Sequence, residues 1–247
     1  MTIARLVGIS KYLVGNSLQG LYADLVAGKR SYGDPCGIAR ALDVVGERWA
    51  LLVVRELVLG PKRFTDLKVH LPGIATDVLS QRLRQLEQAG ILRATTLAPP
   101  ASGRAYELTE RGRELEPVLH ALGRWGSQES FDAARHEMTV DAFAVALSTV
   151  FDPSAARGLD ASVVVDLDGD RIVTRVHDGR LEVTRGQAEQ PDARIETSIA
   201  ALREVLWRGR PLADAEADGS LVVHGLRTVV RRFLALFPPP APARTSN

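Results

Sequence analysis

The spacing of hydrophobic and polar positions divides this chain into two patterned stretches. The first starts at Asp34-Pro35, a pair that suits a helix start: proline fits the first turn and aspartate suits the N-terminal end of the dipole. Cys36 to Val45 then has helical periodicity. Arg48 to Leu59 (RWALLVVRELVL) predicts a second helix with Trp49, Leu52, Val53 and Leu57 inward, stopped by Gly60-Pro61. A short helix over 65–71, a turn at Pro72-Gly73 and a longer helix over 76–89 follow, the last ended by Gly90. The period then falls to two. Ile91–Leu97 and Ala105–Leu108 predict strands joined by the turn APPASGR, and Thr109 is placed to cap a final helix reaching Trp125. Three helices, a turn, a fourth helix, a hairpin and a last helix give the order of a winged helix-turn-helix.

The second stretch begins near Val140. Val140–Phe151 predicts an amphipathic helix with Phe143, Leu147, Val150 and Phe151 on one side. Strands are expected at 162–166, 171–177, 181–184, 193–197 and 221–223, with helices at 199–208, 211–216 and 226–237. Asp168-Gly169 and Asp178-Gly179 are strong hairpin turns. The expected class is α+β: an extension over 1–30, a winged helix over 31–126, a linker over 127–138, a small α+β domain of about five strands over 139–237, and a proline-rich disordered tail over 238–247. Within 1–30, Leu6, Leu13, Leu21 and Leu25 could mark a helix face, but Gly8, Gly15 and Gly20 interrupt it, and a loosely ordered segment stays equally open.

Charge supports the division. Residues 31–126 carry 13 lysines and arginines against 11 acidic residues, while 127–247 carry 14 against 18. A small positive balance is compatible with DNA binding but does not argue for it, because phosphate-facing charges act locally. With a single cysteine, Cys36, an intramolecular disulfide and a multi-cysteine zinc site are excluded. The five histidines, at 70, 120, 136, 177 and 224, show no metal-ligand spacing, so neither metal nor cofactor is expected. No apolar run has the length of a membrane span and residues 1–27 lack signal-peptide organisation, so a cytoplasmic location without membrane contact is expected.

The candidate DNA chemistry lies on the 76–89 helix. A major groove admits one helix, whose outward side chains reach base edges. Leu79, Leu83 and Leu86 fall on one face. The opposite face carries Asp77, Gln81, Arg84 and Gln88, with Thr76 and Ser80 beside it. Arginine and glutamine pair bidentately with guanine and adenine, which makes Gln81 and Arg84 the candidates for base contacts. Thr76 and Ser80 would meet phosphate or bases. Asp77 would accept from a cytosine amine or serve only the helix start. Lys62 and Arg63 are candidate phosphate clamps, and Arg104 at the hairpin would enter a minor groove or touch phosphate. A polar face of this kind is often merely solvated; the turn before it and the hairpin after it favour DNA.

Residues 36–126 resemble the HxlR family of bacterial winged-helix regulators. The resemblance rests on CGIARALDVVGERWALLVVREL, GPKRFTDLKVHLPGI, VLSQRLRQLEQAGIL and YELTERG followed by LEPVLHALGRWG, in the family's order. It implies a transcriptional regulator that binds double-stranded operator DNA as a two-fold homodimer through the first and last helices of the domain. One departure is visible. The family usually has Ser or Thr where this chain has Ala75, so the cap of the recognition helix passes to Thr76 or is lost. Cys36 sits at a helix N-terminus, where amides and dipole favour a thiolate. The family resemblance makes it a redox-sensing candidate; Asp34 beside it and a small buried role at the interface argue the other way.

Residues 139–237 more loosely resemble the sterol-carrier-protein fold, through LEVTRG, ARIETSIAALREVLWRG and PLADAEADGSLVVHG. That fold implies an apolar small-molecule pocket lined by Phe143, Leu147, Val163, Val165, Leu202, Leu206, Trp207, Leu221 and Phe233. An ordinary closed core from the same residues is the equal alternative. No nucleophile–base pair or phosphate loop points to an enzyme. Two functions follow: a DNA-binding regulator tuned by an apolar ligand or thiol oxidation, or a lipid or small-molecule carrier with a helical dimerisation module.

Overall fold

The computed structural model describes residues 31–97, 102–128 and 137–240. The expectations for 1–30, for the hairpin tip at 98–101, for 129–136 of the linker and for 241–247 of the tail lie outside the described residues. The chain divides into two compact units, one ending at Ala50 and the other starting at Leu51.

In the first unit, helix α1 (Gly37–Val45) begins after Cys36, whose side chain makes no capping bond. The turn before it is held by Asp34, whose Oδ1 accepts from the Cys36 amide at 2.8 Å. Asp43 ties the segment back, accepting from Ser31 Oγ and the Tyr32 amide, each at 2.9 Å. Helix α2 (Ala50–Glu56), all but its first residue in the second unit, follows Trp49, whose φ of 78° breaks the helical path and moves the start later than the expected Arg48. Its inward stripe is correspondingly shifted. Val53, Val54 and Leu57 are buried, whereas Leu52, expected inward, is exposed.

Strand β1 (Lys62–Arg63) is too short to show a period in the sequence. Helices α3 (Phe64–His70) and α4 (Thr76–Gln88) come next, then β2 (Leu92–Leu97) and β3 (Gly103–Leu108). The three strands form an antiparallel sheet in the order β1-β3-β2, with Lys62 opposite Tyr106 and Thr95 opposite Ala105. The expected last helix is two: α5 (Glu110–Arg113), capped by Thr109, and α6 (Glu116–Gly126). Pro117 explains the break. It lacks an N–H and clashes with the preceding turn, so it is tolerated only where a new helix begins. Gly112 permits a close approach, because a Cβ there would lie 2.0 Å from the Ile91 carbonyl oxygen.

Helix α7 (Val140–Val150) is capped by Thr139 and packs on α6, where a Cβ on Gly123 would meet Thr149 at 3.2 Å. Strands β4 (Ala161–Leu167), β5 (Asp170–His177), β6 (Arg180–Arg185), β7 (Ala193–Thr197) and β8 (Leu221–Gly225) form one sheet in the order β6-β5-β4-β7-β8. Only β4 and β7 run parallel. Both hairpins turn through aspartate-glycine pairs with positive φ, 52° and 95° at Asp168-Gly169 and 49° and 70° at Asp178-Gly179, as mirror-image two-residue turns require. Helices α8 (Ile199–Trp207), α9 (Leu212–Ala217) and α10 (Arg227–Leu234) complete the half. Its core joins the sheet residues Val163, Val165, Ile172 and Ile195 to Phe143, Leu202 and Phe233 from the helices, with Phe233 and Phe237 edge to face at 5.0 Å.

Candidate nucleic-acid interface

Helix α4 carries the polar stripe on a rigid base. Leu79, Leu83 and Leu86 are buried, each burial contributing about 1.5–3 kcal/mol. This orients the other face outward. Thr76, Asp77, Gln81, Arg84 and Gln88 are exposed, and Ser80 is half-buried. The spacing 77, 81, 84, 88 is one stripe at 3.6 residues per turn. Ala75 occupies the N-cap without a side-chain bond, so the cap is lost rather than passed to Thr76. The Ser80 hydroxyl donates to the Thr76 carbonyl at 2.9 Å, within the helix. Arg82, one position round from the stripe, is buried and bonds to Gln85.

Arg104 is exposed on β3, with its guanidinium 5.6 Å from the centre of the Tyr106 ring. The two expected phosphate clamps come out differently. Lys62 is buried, and its ammonium lies 2.9 Å from Asp141 Oδ2, so it points inward rather than toward a phosphate. Strand alternation explains this: neighbouring residues face opposite sides, and Arg63 takes the outer one. Arg63 in turn closes a fork on Asp66, with Nε and Nη2 donating at 3.0 and 2.9 Å. That hydrogen bonding holds the Asp66 carboxyl below the usual carboxylate range. Arg63 thus serves the start of α3, with its guanidinium paired to Asp66.

Lys62 belongs to a cluster that the sequence did not show. Glu56 and Asp141 are fully buried. Glu56 Oε1 accepts from Arg55 at 2.7 Å and from Thr139 Oγ1 at 3.0 Å, while Oε2 lies 3.2 Å from His70 Nδ1. Asp141 Oδ2 takes both Lys62 and Arg185, the latter at 2.7 Å, and Arg185 continues to Asp170 at 3.0 Å. Asp141 Oδ1 has no hydrogen-bond partner among the described residues. Glu56, His70 and Asp141 bring ligand atoms within 4.8 Å of one another, a geometry that could face a cation. Arg55, Lys62 and Arg185 already compensate both carboxylates, so the trio reads as the centre of an ion-pair network. Its members lie up to 130 positions apart, between Arg55 and Arg185. Buried acids inside apolar runs (RELVL, TVDAFAV) are the only sequence signal that could have found it.

Cys36 is exposed with a free thiol. The nine pocket candidates lie in the interior of the second half. Phe143, Leu147, Val163, Val165, Leu202, Leu206, Leu221 and Phe233 are buried core, and Trp207 packs half-buried against Phe143 with ring centres 5.8 Å apart. A surface depression in this half has a mixed lining that includes Pro153 and Leu159 beside Asp152, Arg157, Asp160 and His177.

Comparison with known proteins agrees with the first half of this architecture. Residues 44–133 match the family model described as HxlR-like helix-turn-helix. Residues 125–243 match one described as alkyl sulfatase C-terminal, where the sequence suggested a sterol-carrier likeness. An HTH-type transcriptional regulator of Synechocystis sp. is 41% identical over 106 residues, which span 41% of this chain and 78% of that protein. The HTH-type transcriptional regulator YvaP of Bacillus subtilis is 32% identical over 89 residues, covering 36% and 82%. Among solved structures, quinone-bound YodB from B. subtilis is 32% identical, covering 37% of this chain and 97% of its own, with a TM-score of 0.33. With the winged-helix order of elements in place and relatives matched over most of their length, the chain belongs to the HxlR-like helix-turn-helix family of transcriptional regulators.

Proposed function

We propose that the chain reads double-stranded operator DNA in the cytoplasm as a homodimer, with α4 in the major groove. The observation that carries this is the exposed row of Asp77, Gln81, Arg84 and Gln88 over the buried Leu79, Leu83 and Leu86. Gln81 and Arg84 supply base contacts, Thr76 and Ser80 flank them, and Arg104 on the wing strand reaches backbone or minor groove. Lys62 takes no part, because its charge is spent on Asp141.

The dimer reading rests on apolar side chains left in solvent. Val118, Leu122 and Trp125 are exposed on α6, and so are Ile38 and Leu42 on α1. A second copy covering them would bury area worth about 25 cal/mol per Å². Two half-sites about one helical turn apart then follow from two-fold symmetry. The carrier alternative has less support, since its proposed pocket residues pack as core.

The test is binding to a duplex selected by the protein from a randomised pool. Gln81→Ala/Arg84→Ala should lose affinity and base preference while staying folded and sedimenting at twice the chain mass. Wild-type affinity in that variant would remove α4 as the reading helix.

A further inference from the structure

Every strand and helix that presents the proposed DNA contacts is followed, in this chain, by a second half whose role the DNA reading does not use. The buried cluster shows how the two are joined. From the winged helix come Glu56 at the end of α2, Lys62 in β1 and His70 at the end of α3; from the second half come Thr139, Asp141 and Arg185. The pairs cross the junction. Lys62 has its carboxylate in the other half, at 2.9 Å, and Glu56 takes a hydroxyl from Thr139 at 3.0 Å. His70 Nδ1 lies 3.2 Å from Glu56 and 3.9 Å from Asp141, between the two.

Position in the sheet gives the cluster a route to DNA. Lys62 pairs in register with Tyr106 and Arg63 with Ala105, on the strand that carries Arg104. One residue past β1, α3 begins, and α3 leads through the turn at Pro72-Gly73 into α4. Lys62 thus stands where the wing sheet and the helix-turn-helix meet, and Asp141 fixes it there. Buried charges tolerate little displacement, because each must keep its partner or face desolvation alone. Residues from Leu51 onward also form a single compact unit that includes both wing and second half.

We propose that Asp141 is a positioning residue for DNA binding: through Lys62 it locks the wing sheet to the second half, so that this half sets the wing's geometry and thereby operator affinity. The proposal rests on the DNA reading above. It gives the second half a coupling role that needs no ligand cavity.

The experiment compares full-length wild type, Asp141→Asn, Lys62→Met and the double variant on the selected duplex, across a series of salt concentrations. Amide exchange is read at residues 103–108 under native conditions. Asp141→Asn should weaken binding about tenfold, lower the slope of affinity against salt, and speed exchange in β3. The double variant should be no worse than the weaker single, since both remove one interaction. Folded Asp141→Asn with wild-type affinity, salt slope and β3 exchange overturns the proposal, because a purely structural residue would alter stability alone. If Asp141→Asn does not fold, Lys62→Met, which removes the other partner of the same pair, carries the same readouts, and no shift there overturns the proposal. Gln81→Ala/Arg84→Ala runs beside them: loss there without loss at Asp141 rejects only the coupling, whereas no loss there rejects the DNA reading itself.

Discussion

On α4, Gln81 and Arg84 stand in solvent above a sealed row of leucines; at the junction, Lys62, Glu56 and Asp141 are themselves sealed. The residue types overlap, and their energetics are opposed. The exposed stripe adds little to stability, because water solvates it in the folded and unfolded chain alike, and its polar groups are available to a ligand. The buried cluster has given up its hydration, so its charges depend on one another and are unavailable to any partner. A lysine's function in this chain is therefore set by which side of a two-residue strand it faces. Lys62 and Arg63 are adjacent and similar, yet one is a buried tie and the other a surface brace of α3.

This contrast can be broken experimentally, and the largest effect belongs to the cluster. Asp141→Ala should lower the unfolding free energy of the full chain by about 3–5 kcal/mol, since it strands Lys62 beside Arg185 in a buried site. Urea denaturation reads this directly, and a loss under about 1 kcal/mol would mean the cluster is effectively solvated. Arg84→Ala should do the reverse. Operator binding weakens by about 1–3 kcal/mol while unfolding stays within about 0.5 kcal/mol of wild type. Equal losses in both assays would erase the distinction between the two regions.

Helix caps sharpen the same point. Ser198 caps α8 by accepting from the Ala201 amide at 3.0 Å, so Ser198→Ala should cost about 1 kcal/mol. Thr139 makes an equivalent cap on the Ala142 amide and also donates to buried Glu56. Thr139→Ala should therefore cost measurably more than Ser198→Ala in the same melt; matching losses would show that the bond to Glu56 adds nothing.

The smallest effect separates two histidines. Hydrogen bonding from His177 to Asp160, helped by the charge of Asp178, raises the His177 pKa above the ordinary imidazole value. Burial, helped by Arg124, lowers that of His120. For His177 the favourable contribution is complete below the unfolded-state value and disappears as pH rises through the folded one. For His120 the sign reverses: stability is complete above the unfolded-state value and declines as pH falls toward the folded one. Proton NMR of the ring protons should show His177 titrating at higher pH than His120, and the opposite order would contradict the structure.

How much of this was legible beforehand depends on the distance between the residues involved. The α4 stripe, its leucine base, the wing hairpin and both aspartate-glycine turns could be read because each is written within one element or one turn. The break at Pro117 was equally local, since proline is tolerated only in the first turn of a helix. Leu52 reads as inward only when Trp49, one turn before it, shares its helical face; Trp49 lies outside the helix, and Val53, Val54 and Leu57 set the inward face instead. The loss of the α4 cap needed only Ala75 and was open in the sequence, although which alternative held was settled by backbone geometry.

By itself, the sequence determined the periods: where the chain is helical, where it alternates, where glycine and proline turn it, and hence the winged helix and the exposed polar face of α4. Tertiary structure decided which charges are spent and which remain free. Lys62 reads as a DNA contact until Asp141, far away in sequence, is brought to 2.9 Å from it. That the nine apolar residues of the second half meet in one interior is likewise shown only once helices and sheet are brought together. The physical reason is the same in both cases. Periodicity records which side of an element faces inward, but what waits on that inner side is supplied by residues distant in the chain, and only folding brings them into contact.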